Sequence, residues 1–269
     1  AASDVYKRQS LDVNLQNYAV QACRKVKKEK KAKQVSMILM NPQNGEIYAM
    51  VNSPEFSLTK PYELVDQSEN LSEKQKNEEL NKMWRNGCVS DTYEPGSTFK
   101  TASIMVALED GKITPEDGID TGNGIKMMHG RPMKDWNWYK GGYGYLTVTQ
   151  ILEVSSNIGT SSIIEKYYGS NPQKFVDGLK RMSIDQPLQL QIAGEGKPNI
   201  KGPKERYFAK TTLPWMSIGY ETQVPPMNIL TFYNAIANNG VMVRPKFVKA
   251  AIKLSLIHIS EPTRLQLIS

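Results

Sequence analysis

The first long stretch with a helical period runs from about Leu15 into "CRKVKKEKKAK". Leu15, Tyr18, Ala19, Ala22 and Val26 recur at spacings of three and four, which predicts an apolar stripe on one face and leaves the lysines to the other. "VSMILMNPQNGEIYAMVNS" then places two strand-like runs around a Pro-Gln-Asn-Gly turn. Asn44 and Gly45 supply the turn chemistry, so a hairpin is expected at about 35–41 and 46–52. Residues 53–92 are polar and predict one short helix near 72–84. An apolar, helix-period segment follows Ser97 and stops at Gly111, a residue suited to a helix C-terminus. Residues 118–146 are rich in Gly, Trp and Tyr and are expected to form a loop. Further helices are predicted from about Thr149 into "SSNIGTSSIIEKYYG", near 172–182, and over "PPMNILTFYNAIANNG". The last presents Ile229, Phe232 and Ile236 at helical spacing and ends at Gly240. There is no internal repeat and no low-complexity segment. Hairpin and helices together indicate an α/β (α+β) fold.

At 269 residues the chain is long enough for one large domain or two modest ones with a buried core. No run approaches the ~18 consecutive apolar residues of a membrane span, and no signal peptide is visible. Cys23 and Cys88 form no metal-type pattern. The two histidines, His129 and His258, argue against a Ser-His-Asp triad or a multi-histidine metal site, so neither metal nor cofactor is expected. The net charge of +7 raises nucleic acid as a partner. Much of the excess lies on the lysine-rich end of the first helix, where a solvated helix face is the simpler reading. The first nine residues, "AASDVYKRQ", and the last sixteen, "LSLIHISEPTRLQLIS", do not join sensibly onto their neighbours. They resemble translated sequencing-adapter stretches, which leaves about residues 10–253 as the natural segment; disordered termini are the plainer alternative.

The candidate chemistry starts at "EPGSTFK", residues 94–100. A serine hydroxyl is a poor nucleophile until a base stands within hydrogen-bond reach. With no histidine to serve, a lysine can act if burial lowers its pKa enough for the neutral amine to be populated. Ser97 and Lys100 are three residues apart, hence on one face of a helix. Pro95 ends the preceding segment, and Gly96 permits a tight corner that exposes Ser97 at the first turn. Backbone N–H groups there suit the oxyanion of acyl transfer. Ser-x-x-Lys is a weak signal alone: Ser57 and Lys60 repeat it in a polar loop ending at Pro61. A second element, "SSN", offers Ser155 as a hydroxyl for proton transfer and Asn157 as an amide to hold a substrate carbonyl. Helix capping is the competing explanation for both, and "SEN" at Ser68 and Asn70 shows how cheaply the pattern arises. The aromatic residues Trp136, Trp138, Tyr139, Tyr143 and Tyr145 either line a groove or belong to a packed surface flap.

These residues, with the blocks "LDVNLQ", "MNPQNGEIYAMVNSPEF", "YEPGSTFK", "SSNIG" and "MSIGYETQVPPMNILTFYNAIANNG" in order, make the chain resemble the transpeptidase domain of class B penicillin-binding proteins of the division and elongation type. The resemblance spans nearly all of residues 10–250. It implies the penicillin-binding-protein and serine β-lactamase fold, an antiparallel sheet flanked by helices with a helical subdomain. By the resemblance, Ser97 is the nucleophile toward D-alanyl-D-alanine stem peptides, Lys100 its base, Ser155 a proton relay and Asn157 a substrate contact. The acyl-enzyme passes to an amine of a neighbouring stem peptide and cross-links peptidoglycan, and β-lactams acylate the same serine. Implied partners are peptidoglycan, β-lactams, and division or elongation membrane proteins including a glycosyltransferase. The implied location is the extracytoplasmic face of the bacterial cytoplasmic membrane, with the anchor outside this chain.

One family feature is missing. A Lys-Thr/Ser-Gly motif should follow "VRPKFVKA", and the sequence has none. Lys210 to Thr212 lacks the glycine and precedes the wrong blocks. The sequence therefore reads as a domain truncated before its third motif, expected to be nearly inactive, since losing one oxyanion donor costs ~10²–10³ in rate. Two other readings stay open: a D,D-carboxypeptidase or serine β-lactamase of the same superfamily, and a non-catalytic cell-wall or divisome scaffold.

Overall fold

A computed structural model describes residues 5–65, 71–253, 256–259 and 264–267. Ser68 and Asn70, the His258 side chain, and residues 1–4, 254–255, 260–263 and 268–269 lie outside the described residues. Two compact units emerge, one built from residues 1–92, 187–196 and 225–269, the other from 93–186 and 197–224. In chain order the first unit opens with β1 (Val5–Gln9), α1 (Val13–Lys30), β2 (Val35–Met40), β3 (Ile47–Ser53), α2 (Glu73–Trp84) and α3 (Gly87–Ser90). The second contains a 3-10 turn (Gly96–Phe99), α4 (Lys100–Glu109), β4 (Gly118–Asp120), β5 (Ile125–Met128), β6 (Arg131–Lys134), a second 3-10 turn (Trp138–Lys140) and β7 (Tyr145–Thr147). It continues with α5 (Val148–Glu153), α6 (Asn157–Tyr168), α7 (Pro172–Arg181), β8 (Asn199–Ile200), α8 (Thr212–Ser217) and β9 (Thr222–Gln223). The chain returns to the first unit for α9 (Pro226–Ala237), β10 (Val241–Val243), β11 (Val248–Lys253), β12 (Leu256–Ile259) and β13 (Arg264–Leu267).

In the first unit β2 and β3 form the expected antiparallel hairpin, with Val35 opposite Ser53 and Met40 opposite Ile47. Asn44 shapes the turn by accepting the Glu46 N–H at 2.9 Å. β3 alternates strictly, so Ile47, Ala49 and Val51 point into the core, as a period of two requires. α1 begins where Asp12 caps the amides of Asn14 and Leu15, each at 2.9 Å, and it lies on that strand face through Ala19 and Cys23. The stripe is therefore rotated from the expected one: Leu15, Tyr18 and Val26 are exposed. Gln16 explains the rotation. Its side-chain amide donates to Met50 O and accepts the Met50 N–H, both at 2.9 Å. A polar residue thus faces inward by completing the backbone pairing of β3, which a hydrophobic periodicity cannot register. A second cluster joins Met40, Ile47, Cys88, Val89, Met227 and Phe247. In α9, Ile229 and Phe232 are buried as expected but Ile236 is exposed, and Thr231 and Ala235 take the inward positions. β11 pairs with β1 and β12 in one antiparallel sheet, and β10 pairs with β13.

The second unit is helical at its centre. α4 buries Ala102, Ile104, Val106 and Ala107, and α6 buries Ile158, Ile163 and Ile164. The span 118–146, expected as a loop, holds two small antiparallel pairs, β4 with β7 and β5 with β6. Their strands are only three or four residues long and are separated by glycine turns, so no window is long enough to show alternation. Met128 and Met133 anchor the β5–β6 hairpin against Ile158 and Ile218, and this fixes the residues that follow β6 beside the head of α6.

Candidate functional site

Ser97 lies in the 3-10 turn, not in α4 itself, and Lys100 is the first α4 residue. A 3-10 helix has three residues per turn, so positions three apart eclipse more closely than on an α-helix. The Lys100 N–H donates to Ser97 O, closing that turn. Ser97 is exposed while Phe99 and Lys100 are buried. The corner is held from one side by Gly219, whose carbonyl accepts the Gly96 N–H at 3.1 Å. Gly219 has φ +83°, and a Cβ there would meet Gly96 O at 2.1 Å, so only glycine allows this approach. Ser103 reinforces the contact by donating to Ser217 O at 2.7 Å. The sequence blocks around Ser97 and around "MSIGYE" are thus neighbours.

The Lys100 ammonium, on a side chain only 2% exposed, donates to Ser155 Oγ at 3.0 Å and to Ser155 O at 2.6 Å. Burial lowers its pKa from 10.5 to about 8, against the opposing field of the Asp135 carboxylate. A neutral amine is therefore within reach near physiological pH. Ser155 sits between α5 and α6 with φ +55°, a left-handed conformation that costs a serine about 1–2 kcal/mol. That conformation turns its carbonyl and hydroxyl toward the same nitrogen.

Asn157 opens α6, and its Nδ2 donates to Lys134 O at 2.7 Å. The cap of α6 is neither Ser155 nor Asn157 but Ser156, whose Oγ accepts the Gly159 N–H at 2.9 Å. Capping thus leaves the positions of Ser155 and Asn157 unexplained. Asp135, which sequence reasoning did not single out, is only 1% exposed. Its carboxylate accepts the Ser156 hydroxyl at 2.9 and 3.1 Å and the Ile158 N–H at 3.0 Å. A buried aspartate in "MKDWNW" leaves no mark in a single sequence, because charged residues between aromatics usually face water.

The decoys separate cleanly. Ser57 Oγ meets Thr59 Oγ1 at 2.9 Å and the Lys60 ammonium pairs with Glu63 at 3.1 Å, so this motif brings no hydroxyl to its lysine. Thr212 opens α8, and its hydroxyl accepts the Ala209 N–H at 3.0 Å; Lys210 to Thr212 lies on no strand. Of the aromatics, Trp136, Trp138, Tyr139 and Tyr145 are exposed. Lys134 lies over the Trp138 ring at 4.1 Å, as a cation over an aromatic face prefers. Among the described residues no helix is long and apolar enough to cross a membrane.

Comparison with known proteins adds an independent line. Residues 35–266 match the family described as penicillin binding protein transpeptidase domain. The peptidoglycan D,D-transpeptidase FtsI of Buchnera aphidicola subsp. Schizaphis graminum is 28% identical over 253 residues, covering 94% of this chain and 38% of that protein. The penicillin-binding protein PbpB of Mycobacterium tuberculosis is 26% identical over 253 residues, covering 94% of this chain and 34% of its own. The chain thus spans about a third of the curated relatives' length. Among solved structures, apo penicillin binding protein 3 of Mycobacterium tuberculosis superposes with a TM-score of 0.79 at 23% identity, over 98% of this chain and 55% of that one. The transpeptidase domain of Burkholderia pseudomallei penicillin-binding protein 3 gives 0.73 at 22%, over 97% and 65%.

Proposed function

The chain belongs to the penicillin-binding-protein transpeptidase family, and from that premise we propose that it carries the acyl-transfer site of a peptidoglycan D,D-transpeptidase. The observation that carries the reading is the buried Lys100 amine held against Ser155, one turn from the exposed residue Ser97. In the proposed reaction the neutral Lys100 amine takes the proton of Ser97 Oγ as that oxygen bonds to the carbonyl carbon of the penultimate D-alanine. The backbone N–H at the head of the 3-10 turn stabilises the resulting oxyanion. The C–N bond then breaks, and the proton passes from Lys100 through Ser155 to the departing D-alanine nitrogen. An ester on Ser97 remains. An amine of a second stem peptide attacks the ester carbonyl, and the bond to Ser97 Oγ breaks. The amine's proton passes through Ser155 and Lys100 to Ser97 Oγ, leaving a cross-link and the starting site. Asn157, beside Lys134, orients the acyl donor. A penicillin follows the first half of this path and stays attached.

A peptidoglycan substrate supports a location on the extracytoplasmic face of the cytoplasmic membrane, with division or elongation membrane proteins, a glycosyltransferase among them, as the partners of this reading. Intact-mass spectrometry of the purified chain incubated with a penicillin tests the proposal. A single adduct should build up on the peptide carrying Ser97 and should disappear in Ser97→Ala. An adduct that persists in Ser97→Ala, or none after prolonged incubation, would overturn it. Free D-alanine released from a stem-peptide substrate without cross-linked product would point to a carboxypeptidase instead.

A further inference from the structure

We propose that Asp135 is a positioning residue of this site: its buried carboxylate ties down Ser156 and Ile158, the two neighbours of Asn157, and so fixes Ser155 with its hydroxyl and carbonyl turned to Lys100. The consequence for chemistry rests on the acyl-transfer reading; the positioning itself rests on geometry.

A left-handed serine persists only when its surroundings over-determine it. Here they do so through one carboxylate. The Ser156 hydroxyl donates to Asp135 while accepting the Gly159 N–H, so its rotamer is fixed from both sides. The Ile158 N–H donates to Asp135 Oδ1 at 3.0 Å, in the first turn of α6 where a negative charge is favourable. Asp135 is itself held, since its N–H donates to Gly124 O at 3.0 Å and its carbonyl accepts the Trp138 N–H at 3.2 Å. The Lys134 carbonyl one residue earlier receives the Asn157 amide. Two consecutive residues, Lys134 at the end of β6 and Asp135 just after it, thus hold three consecutive residues, Ser156 to Ile158. Ser155 is the first residue outside that grip, and its carbonyl and hydroxyl go to Lys100.

The same carboxylate carries charge toward the lysine. Of the ionisable side chains on helices packed against α4, Arg181 binds Asp110 at 2.7 Å, Glu165 binds His129 at 2.7 Å and Lys166 lies over the Tyr167 ring. Asp177 accepts from Gln173, and Lys174 and Lys180 are exposed. Asp135 is the group whose field opposes the effect of burial on Lys100. The field and the tether are separate observables: the field reports the Asp135 charge at Lys100, and the Ser156 hydroxyl reports its hold on the residues beside Ser155.

The experiment is a direct titration of the Lys100 amine in the chain labelled with ¹³Cε-lysine, the resonance being assigned by its loss in Lys100→Arg. The wild-type midpoint is expected at about 8. Asp135→Asn keeps the shape and removes the charge, so the midpoint should fall below the wild-type value. A folded Asp135→Asn protein with an unchanged or higher midpoint would overturn the proposal. Ser156→Ala supplies the second arm, since it removes the hydroxyl tether and leaves the carboxylate. Its Lys100 midpoint should stay near the wild-type value while penicillin adduct formation slows about tenfold, the scale of one buried hydrogen bond. Wild-type adduct formation in Ser156→Ala would remove the tether from the argument. The titration needs no turnover. The expected Asp135→Asn shift in a chain that is never acylated would therefore count against the functional reading and not against the carboxylate's hold on the Lys100 charge. The Ser156→Ala arm is read against the acylation of the wild-type chain.

Discussion

Lys100 shows what the proposed chemistry costs the protein. Its pKa falls from 10.5 in the free side chain to about 8 in the folded chain, chiefly through burial. Between those values the unfolded chain binds more protons, so this group's contribution to stability rises as pH climbs from about 8 toward 10.5. Below about 8 the full penalty of a buried ammonium is present, at most about 3 kcal/mol at 1.36 kcal/mol per unit. Lys100→Met should remove that penalty while losing the hydrogen bonds to Ser155. The net gain at pH 7 is then roughly 1–2 kcal/mol, or about 2–8 °C in Tm for a chain of this size. Penicillin acylation should disappear in the same variant. Thermal melts at pH 7 and pH 10 check the sign: the advantage must shrink at the higher pH. A variant less stable than wild type at pH 7 would contradict the argument. Acylation by the wild-type chain should rise with pH through a midpoint at about 8, because only the neutral amine accepts the Ser97 proton. The shared turn of Ser97 and Lys100 was legible from their spacing, but only the surrounding family blocks set them apart from Ser57 and Lys60. Those blocks also singled out Ser155, which the structure brings to Lys100. Asp135 and Ser156 were not legible. Their roles depend on a hairpin folding back onto α6, a contact between residues about twenty positions apart that leaves no periodic trace.

At the scale of elements, short connections set the geometry of the site. The 3-10 turn carrying Ser97 touches backbone after α8 through a glycine pair, and Gly219 is the member with no room to spare. Gly219→Ala must either shift Gly96 or force a left-handed alanine, at a cost of roughly 1–3 kcal/mol. It should lower the urea midpoint and, on the proposed reaction, slow penicillin acylation more than tenfold by displacing Ser97. Gly111→Ala is the control. Gly111 has φ +61° but no atom within 4 Å of a built Cβ, so it pays the backbone cost alone and should leave acylation intact. Equal losses of acylation in the two variants would mean that the glycine contact does not position Ser97. The elements legible from pattern were those with long, regular runs: the β2–β3 hairpin, α2, α7 and α9. The pattern failed where a polar group took an inward place, as Gln16 does by pairing with Met50. It failed again over 118–146, where three- and four-residue strands carry too few positions to show a period.

For the molecule as a whole, the open question is whether the charge of +7 serves the site. Lys27, Lys28 and Lys30 crowd the last turn of α1, in the unit formed around the β2–β3 hairpin. Ser97, Lys100, Ser155 and Asn157 all lie in the other unit. Cations at a helix C-terminus are favourable against its dipole, by about 0.3–1 kcal/mol each, so the lysine run has a local purpose that needs no ligand. Lys28→Gln with Lys30→Gln should therefore lower the stability of the chain by roughly 0.5–2 kcal/mol, read from urea denaturation. Penicillin acylation of Ser97 should remain within about twofold of wild type, because both lysines belong to a compact unit that contains none of the site residues. Duplex DNA should not be retarded by either protein at physiological salt. A nucleic-acid face would instead show retardation that weakens steeply with salt and falls in the double variant. That outcome would return the basic run to function and detach it from the helix that now accounts for it.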